Sequence, residues 1–215
     1  MFGDAAGIVD SVQGGNDTLT VNNFGSGSLI YLFGDTNEMS GNGKGGNDIL
    51  TTNNSGSDSV TYLFGDAGGM HDSAQGGNDT LNGGAGNDSL YGDAAYYSTP
   101  SSPGSITGGT DILNGGAGND QLWGGPNDDK FVFNVGSGND TINDLNHGNS
   151  AVGSTATEHD IINVHAYGFS GWSVLQANIS DDLVSGNAVI QLSATDSITL
   201  VGVHTIDLHE TDFII

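Results

Sequence analysis

The sequence predicts an all-β solenoid in which short parallel strands stack coil upon coil and glycine-rich turns join them. Three observations lead there. The motif Gly-Gly-[Asn/Thr]-Asp-[Thr/Ile]-Leu recurs at residues 14–19, 45–50, 76–81 and 108–113, with its aspartates 31, 31 and 32 residues apart. A fixed period of that size marks stacked structural repeats. Inside it lies a nine-residue period of the form G-G-x-G-x-D-x-U-x, with U a large apolar residue, clearest at 83–91 and 115–123. Finally, 37 of the 215 residues are glycine and only 35% are apolar. Ordering so flexible a chain costs more backbone entropy than usual, and a thin core needs a second source of stabilisation.

The charge balance points to that source. There are 26 acidic residues against two lysines, Lys44 and Lys130, and no arginine. Only Glu38, Glu158 and Glu210 among the acids are not aspartates. Carboxylates so numerous repel one another in any compact state, so folding calls for cations that no side chain supplies, and divalent metal is expected. The same charge excludes nucleic acid and anionic membranes as partners, since both require lysine or arginine. Without cysteine, neither disulfides nor thiolate metal sites are available. No run approaches the roughly eighteen apolar residues of a membrane span, so no membrane insertion is expected. Met1-Phe2-Gly3-Asp4 opens without the pattern of a signal peptide, so any export is expected to use another route.

Each element of the repeat has a physical role. Glycines let the turn adopt backbone conformations closed to other residues and aim its carbonyls inward. The aspartate that ends the turn adds a carboxylate, and two stacked turns together approach the six or so oxygen ligands that Ca²⁺ prefers. The x-U-x triplet forms a short strand with one inward side chain. Two nonapeptides complete a coil, which predicts two files of turns. The first edge carries Asp17, Asp48, Asp79, Asp111 and Asp129, and the second Asp58, Asp88, Asp120 and Asp140. The expected apolar ladders are Leu19, Leu50, Leu81, Leu113 and Phe131 on one side, and Leu29, Val60, Leu90, Leu122 and Ile142 on the other. Gly27 stands where the second edge expects an aspartate, so that site is expected to be weak or absent. The gaps between turns give roughly seven Ca²⁺ sites.

Between the half-coils lie recurrent insertions opening with Phe2-Gly3-Asp4, Phe33-Gly34-Asp35, Phe64-Gly65-Asp66 and Tyr91-Gly92-Asp93. They read as external loops, with Asp10 and Asp72 at matching places, as extra metal sites in the loops or, the preferred reading, as solvated loop acids. From about Asn143 the glycine repeat stops. Residues 160–164, 188–192 and 197–201 read as strands, and Phe131, Val132, Phe133 and Trp172 as an apolar cover for the open end of the solenoid. The division expected is 1–140 for the calcium-binding roll with its insertions and 141–215 for a β-rich cap.

The nonapeptides resemble the RTX (repeats-in-toxin) calcium-binding family. The resemblance implies a right-handed parallel β-roll that binds several Ca²⁺ ions. It further implies that carbonyls at repeat positions two and four plus the Asp of one turn join carbonyls at positions one and three plus the Asp of the next. One implied site unites Gly84, Gly86 and Asp88 with Gly115, Ala117 and Asp120. Another unites Gly46 and Asp48 with Gly76 and Asp79. Gly15, Gly45, Gly77, Gly109, Gly118 and Gly124 complete the candidate ligands beside the aspartates of the two files. The tail resembles that of serralysin-type exports in Gly138-Asn139-Asp140-Thr141-Ile142, His159-Asp160-Ile161-Ile162, residues 197–203 and the terminal Asp212-Phe213-Ile214-Ile215. This implies that 141–215 also holds an uncleaved type I secretion signal, that the type I machinery is a partner, and that the protein is secreted.

Other chemistries lack their residues. No acidic loop ends in the bidentate Glu of an EF-hand. His71, His147, His159, His165, His204 and His209 include no H-E-x-x-H, and there is no G-x-S-x-G and no cysteine nucleophile. Two readings stay open: a free-standing, secreted, non-catalytic calcium-binding protein of the matrix or cell surface, or the C-terminal module of a larger exported enzyme such as a protease, lipase or polysaccharide-modifying enzyme. Met1 and the immediate start of the repeat motivate the first. Tyr31, Phe33, Tyr62, Phe64, Tyr91, Tyr96, Tyr97 and Trp123 could form a stripe for extracellular glycans or protein partners.

Overall fold

The computed structural model describes residues 1–4, 7–8, 10–22, 27–53, 59–98 and 105–215. It is a right-handed parallel β-solenoid, an all-β roll as the repeat requires. One face is a parallel sheet of Thr18–Asn22, Ile49–Asn53, Thr80–Asn82, Ile112–Asn114, Lys130–Val132, Ile161–Asn163 and Phe213–Ile214, in that order. The opposite face stacks Leu29–Phe33, Val60–Phe64, Ser89–Tyr91, Gln121–Trp123, Asn139–Ile142 and Ser197–Leu200, then turns antiparallel through Ala188–Gln191 to Ile179–Asp181.

Side chains alternate across a strand, so each short strand sends its middle residue inward and parallel pairing lines these up. On the first face Leu19, Leu50, Leu81, Leu113 and Phe131 are in register, and the ladder continues into Ile162 and Phe213. On the second face the register differs from the expected one in the first two coils. Leu32 pairs with Leu63 and Leu63 with Leu90, so the ladder reads Leu32, Leu63, Leu90, Leu122, Ile142 and Leu200. Leu29 is exposed and Val60 only half-buried. The displacement is three residues, an odd number, which moves the expected pair to the opposite face of the sheet.

The insertions are not plain loops. Thr36–Met39, Ala67–Met70 and Ala94–Tyr97 form a third parallel sheet. It has an apolar cluster of its own, built from Ile8, Met39, Ala67, Met70, Ala74, Ala94, Ile106 and Val152. Asp10 and Asp72 are exposed, both at φ 61°, at the tips of the excursions. Residues 141–215 extend the two main sheets, and one core cluster runs from Leu19 to Phe213. Phe131 is a rung of the ladder, Phe133 is buried beside it, and Trp172 packs on Phe213 with ring centroids 5.4 Å apart.

Candidate metal-binding turns

Parallel stacking brings equivalent turn residues one above another, and each turn aspartate uses one oxygen to tie neighbouring coils. On the first edge the backbone N–H groups of Asp17, Asp48, Asp79 and Asp111 donate to Oδ1 of Asp48, Asp79, Asp111 and Asp129, at 2.6, 2.7, 2.7 and 2.8 Å. The Asp129 N–H donates in turn to Asp160 Oδ1 at 2.8 Å. On the second edge Asp88 and Asp120 donate to Asp120 and Asp140 at 2.8 and 3.0 Å. Asparagine files run alongside with the opposite polarity, the N–H of Asn47 and Asn78 donating to the Oδ1 of Asn16 and Asn47.

The second carboxylate oxygens have no such partner. Oδ2 of Asp17, Asp48, Asp79, Asp111 and Asp129 on one edge, and of Asp88 and Asp120 on the other, is buried without a hydrogen-bond donor. An ionised oxygen in that state is costly unless a cation answers it. Burial above all pushes the carboxyls of Asp88, Asp120 and Asp140 up to about 7 and that of Asp48 to about 6. Burial first, then the neighbouring Asp111, pushes Asp79 up to about 10. Asp160 ends the file differently, since its Oδ2 accepts the Asn146 N–H at 2.6 Å. On this edge the file of donorless aspartate oxygens ends at Asp129.

Carbonyls complete the donor set. A Cβ at Gly34 would overlap the Gly65 carbonyl oxygen and Asp48 Oδ2, and one at Gly65 would overlap the Gly92 carbonyl oxygen and Asp79 Oδ2. On the second edge a Cβ at Gly115 would overlap Asp120 Oδ2, and one at Gly118 the Gly86 carbonyl oxygen. Among the described residues no group of three or more His, Cys, Asp or Glu side chains converges. Carboxylate plus carbonyl oxygen suits a hard cation such as Ca²⁺ and is a poor set for zinc.

The register also shows how the first-edge turns are built. Tyr91 pairs with Trp123, so Gly92 aligns with Gly124 and Asp93 with Gly125. Gly34 and Gly65 take the same first place, their N–H groups donating to the carbonyls of Phe64 and Tyr91. The insertions thus split a nonapeptide turn between its second and third residues. Gly45 and Gly76 stand third, and Gly15, Gly46, Gly77 and Gly109 stand fourth. Sequence reasoning missed Gly34, Gly65 and Gly92 as first residues and Asp35, Asp66 and Asp93 as second. The available signal was Leu90-Tyr91-Gly92-Asp93 set against Leu122-Trp123-Gly124-Gly125.

On the second edge the repeats are undivided, with Gly84, Gly86 and Asp88 below Gly115, Ala117 and Asp120. Asp58 lies outside the described residues. The place expected for it, two residues before the inward leucine, belongs to buried Thr61, whose N–H donates to Asp88 Oδ1 at 2.7 Å.

Residues 73–95 and 105–142 match the RTX calcium-binding nonapeptide repeat, in four copies. These are RTX calcium-binding repeats. Their match covers the stretch where turns, ladders and orphaned carboxylates are most regular, and it gives these repeats a calcium-binding, structural role. Among curated proteins none matches the chain.

Parallel stacking of the coils also accounts for most of the aromatic residues of the expected stripe. Phe2, Phe33, Phe64, Tyr91 and Trp123 stack in one column, with centroids 4.8, 4.6, 5.1 and 4.5 Å apart. Tyr31 stacks on Tyr62 at 4.9 Å. The stacked rings brace successive coils. Among the described residues no helix is long and apolar enough to cross a membrane.

Proposed function

We propose that the protein is a secreted calcium-binding RTX protein whose role is structural or adhesive and not catalytic, and that calcium outside the cell drives its folding. The observation that carries this reading is the double file of buried aspartate oxygens without donors, beside glycine carbonyls packed too closely for any side chain. In this reading one site uses carbonyls of Gly84, Gly86, Gly115 and Ala117 with the carboxylates of Asp88 and Asp120. A first-edge site uses carbonyls of Asp35, Gly46, Gly65 and Gly76 with Asp48 and Asp79. The ions neutralise the stacked carboxylates, and the chain supplies the oriented oxygens.

At low calcium the acidic turns repel and the chain stays threadable; at high calcium, binding adds to folding free energy. That behaviour suits export of an unfolded chain by type I machinery, with residues 141–215 as both cap and signal. A glycan or protein partner would meet exposed side chains such as Tyr31 and Tyr96.

The test is export from a Gram-negative cell carrying a type I transporter. The full chain is expected in the medium, folded once calcium is supplied, and a chain lacking 141–215 is expected to remain inside. Secretion independent of 141–215, or a secreted chain indifferent to calcium, contradicts the reading.

A further inference from the structure

The insertion-bearing turns carry a carboxylate that the undivided turns lack. In the undivided turns the second residue is Gly84, Gly116 or Gly125, each left-handed at φ 94°, 102° and 96°. An aspartate would be strained there. In the divided turns the chain leaves into the third sheet instead of making the left-handed step. Asp35, Asp66 and Asp93 then occupy the second place without positive φ.

All three are fully buried. One oxygen of each is engaged within its own turn: Asp35 Oδ2, Asp66 Oδ1 and Asp93 Oδ1 accept the N–H of Gly46, Gly77 and Gly109, at 3.0, 2.9 and 2.7 Å. The other oxygen of each, Asp35 Oδ1, Asp66 Oδ2 and Asp93 Oδ2, is buried with no donor.

Glycines at the third position show where the carboxylates meet: the donorless Asp66 Oδ2 and Asp93 Oδ2 lie at Gly76 and Gly108, the donorless Asp35 Oδ1 lies at Gly14, and the pair at Gly45 is the two oxygens that also accept N–H groups. A Cβ on Gly45 would overlap Asp66 Oδ1 and crowd Asp35 Oδ2, and one on Gly76 would overlap both Asp93 Oδ1 and Asp66 Oδ2. A Cβ on Gly108 would overlap Asp93 Oδ2 and the Pro126 carbonyl oxygen. Carboxylates of successive coils therefore converge on space left by missing side chains, in a low-dielectric interior where like charges repel most.

We propose that the divided turns hold a second row of divalent cations, most simply Ca²⁺, with the carboxylates of Asp35 and Asp66 bridging one ion and those of Asp66 and Asp93 the next. This row runs beside the aspartates that close the RTX turns, and it fastens the third sheet to the roll. It rests on calcium being the ion of the RTX turns, and the experiment separates the two claims.

Calcium-loaded crystals of the whole chain, measured at a wavelength where calcium scatters anomalously, are expected to show peaks between Asp35 and Asp66 and between Asp66 and Asp93, as well as beside Asp79 and Asp120. Peaks beside Asp79 and Asp120 alone, with the Asp35, Asp66 and Asp93 carboxyls sharing protons, overturn the second row and leave the RTX reading standing. No peaks in either place overturn both.

In solution, native mass spectrometry counts the ions. The triple variant Asp35→Asn, Asp66→Asn, Asp93→Asn is expected to lose about two ions while keeping those of the second edge. Asp88→Asn with Asp120→Asn is expected to show the reverse. An unchanged count in the triple variant overturns the proposal. Should that variant not fold, the anomalous peaks of the unaltered chain decide.

Discussion

Replacing Asp120 by asparagine should have opposite effects on stability with and without calcium. Asp120 is fully buried in the second-edge file between Asp88 and Asp140. One oxygen accepts the Asp88 N–H, which an asparagine carbonyl can also do, and the other has no donor. Burial, with Asp88 adding repulsion, raises its carboxyl from 3.8 to about 7. At ~1.4 kcal/mol per pH unit, holding it ionised at pH 8 in the metal-free roll costs on the order of 4 kcal/mol, and relaxation with entering water brings this to roughly half.

Asp120→Asn removes that cost, so without calcium the variant should be more stable by about 1–2 kcal/mol. With calcium it loses a charged ligand shared by the gaps above and below. Calcium at a hundredfold above a site's dissociation constant contributes about 2.7 kcal/mol, so the variant should be less stable by about 2–5 kcal/mol. The assay is thermal unfolding by circular dichroism at pH 8, in excess EDTA and in millimolar calcium. Trimethylamine N-oxide can favour the compact state equally in both arms if the metal-free chain is otherwise unfolded. Destabilisation of the same size in both arms would refute the reasoning, because the carboxylate would then act by packing or hydrogen bonding alone.

Further outcomes follow from register, turn geometry and protonation. Leu63→Ala should cost about 2–5 kcal/mol in calcium-saturated urea denaturation and Val60→Ala under about 1 kcal/mol, and equal costs would contradict the Leu32–Leu63–Leu90 ladder. Gly65→Ala should lower both melting temperature and calcium affinity, because the new methyl would occupy the space of the Gly92 carbonyl and Asp79 Oδ2. A calorimetric titration that leaves affinity unchanged would place the metal elsewhere. In the metal-free chain, burial raises Asp88, Asp120 and Asp140 to about 7 in the folded state, against about 3.9 unfolded. Their contribution is therefore complete below about pH 4 and lost as pH rises through about 7. Ellipticity in EDTA should thus grow as pH falls from 8 to 4, and a flat profile would contradict the burial of these carboxyls.

Much of this was legible because the turn chemistry repeats at a fixed interval. The aspartates of the first edge and the Leu19 to Phe131 ladder follow from counting alone, since each turn aspartate is followed two residues later by one large apolar residue at the inward place. The second ladder was not, for a definite reason. Leu29-Ile30-Tyr31-Leu32-Phe33 and Val60-Thr61-Tyr62-Leu63-Phe64 offer two inward candidates three residues apart. Counting forward from Asp58 selects Leu29 and Val60, whereas pairing with Ser89–Tyr91 fixes the register from the other end, through Phe64 and Tyr91. The Gly-Asp pairs at the insertions looked like loop residues because the halves of their turn lie 10 to 15 residues apart in sequence. Only stacking shows that Gly92 and Gly109 belong to one turn. The file's end at Asp160 depends on a hydrogen bond from Asn146, and no local motif announces it.

The most direct test is to strip the chain with a chelator and measure its hydrodynamic radius and far-ultraviolet circular dichroism, then repeat both after adding millimolar calcium. An expanded, β-poor chain that contracts into the roll on addition is the expected result. A polypeptide already compact in EDTA, melting cooperatively at a temperature that calcium does not raise, would show that the orphaned aspartate oxygens need no ion.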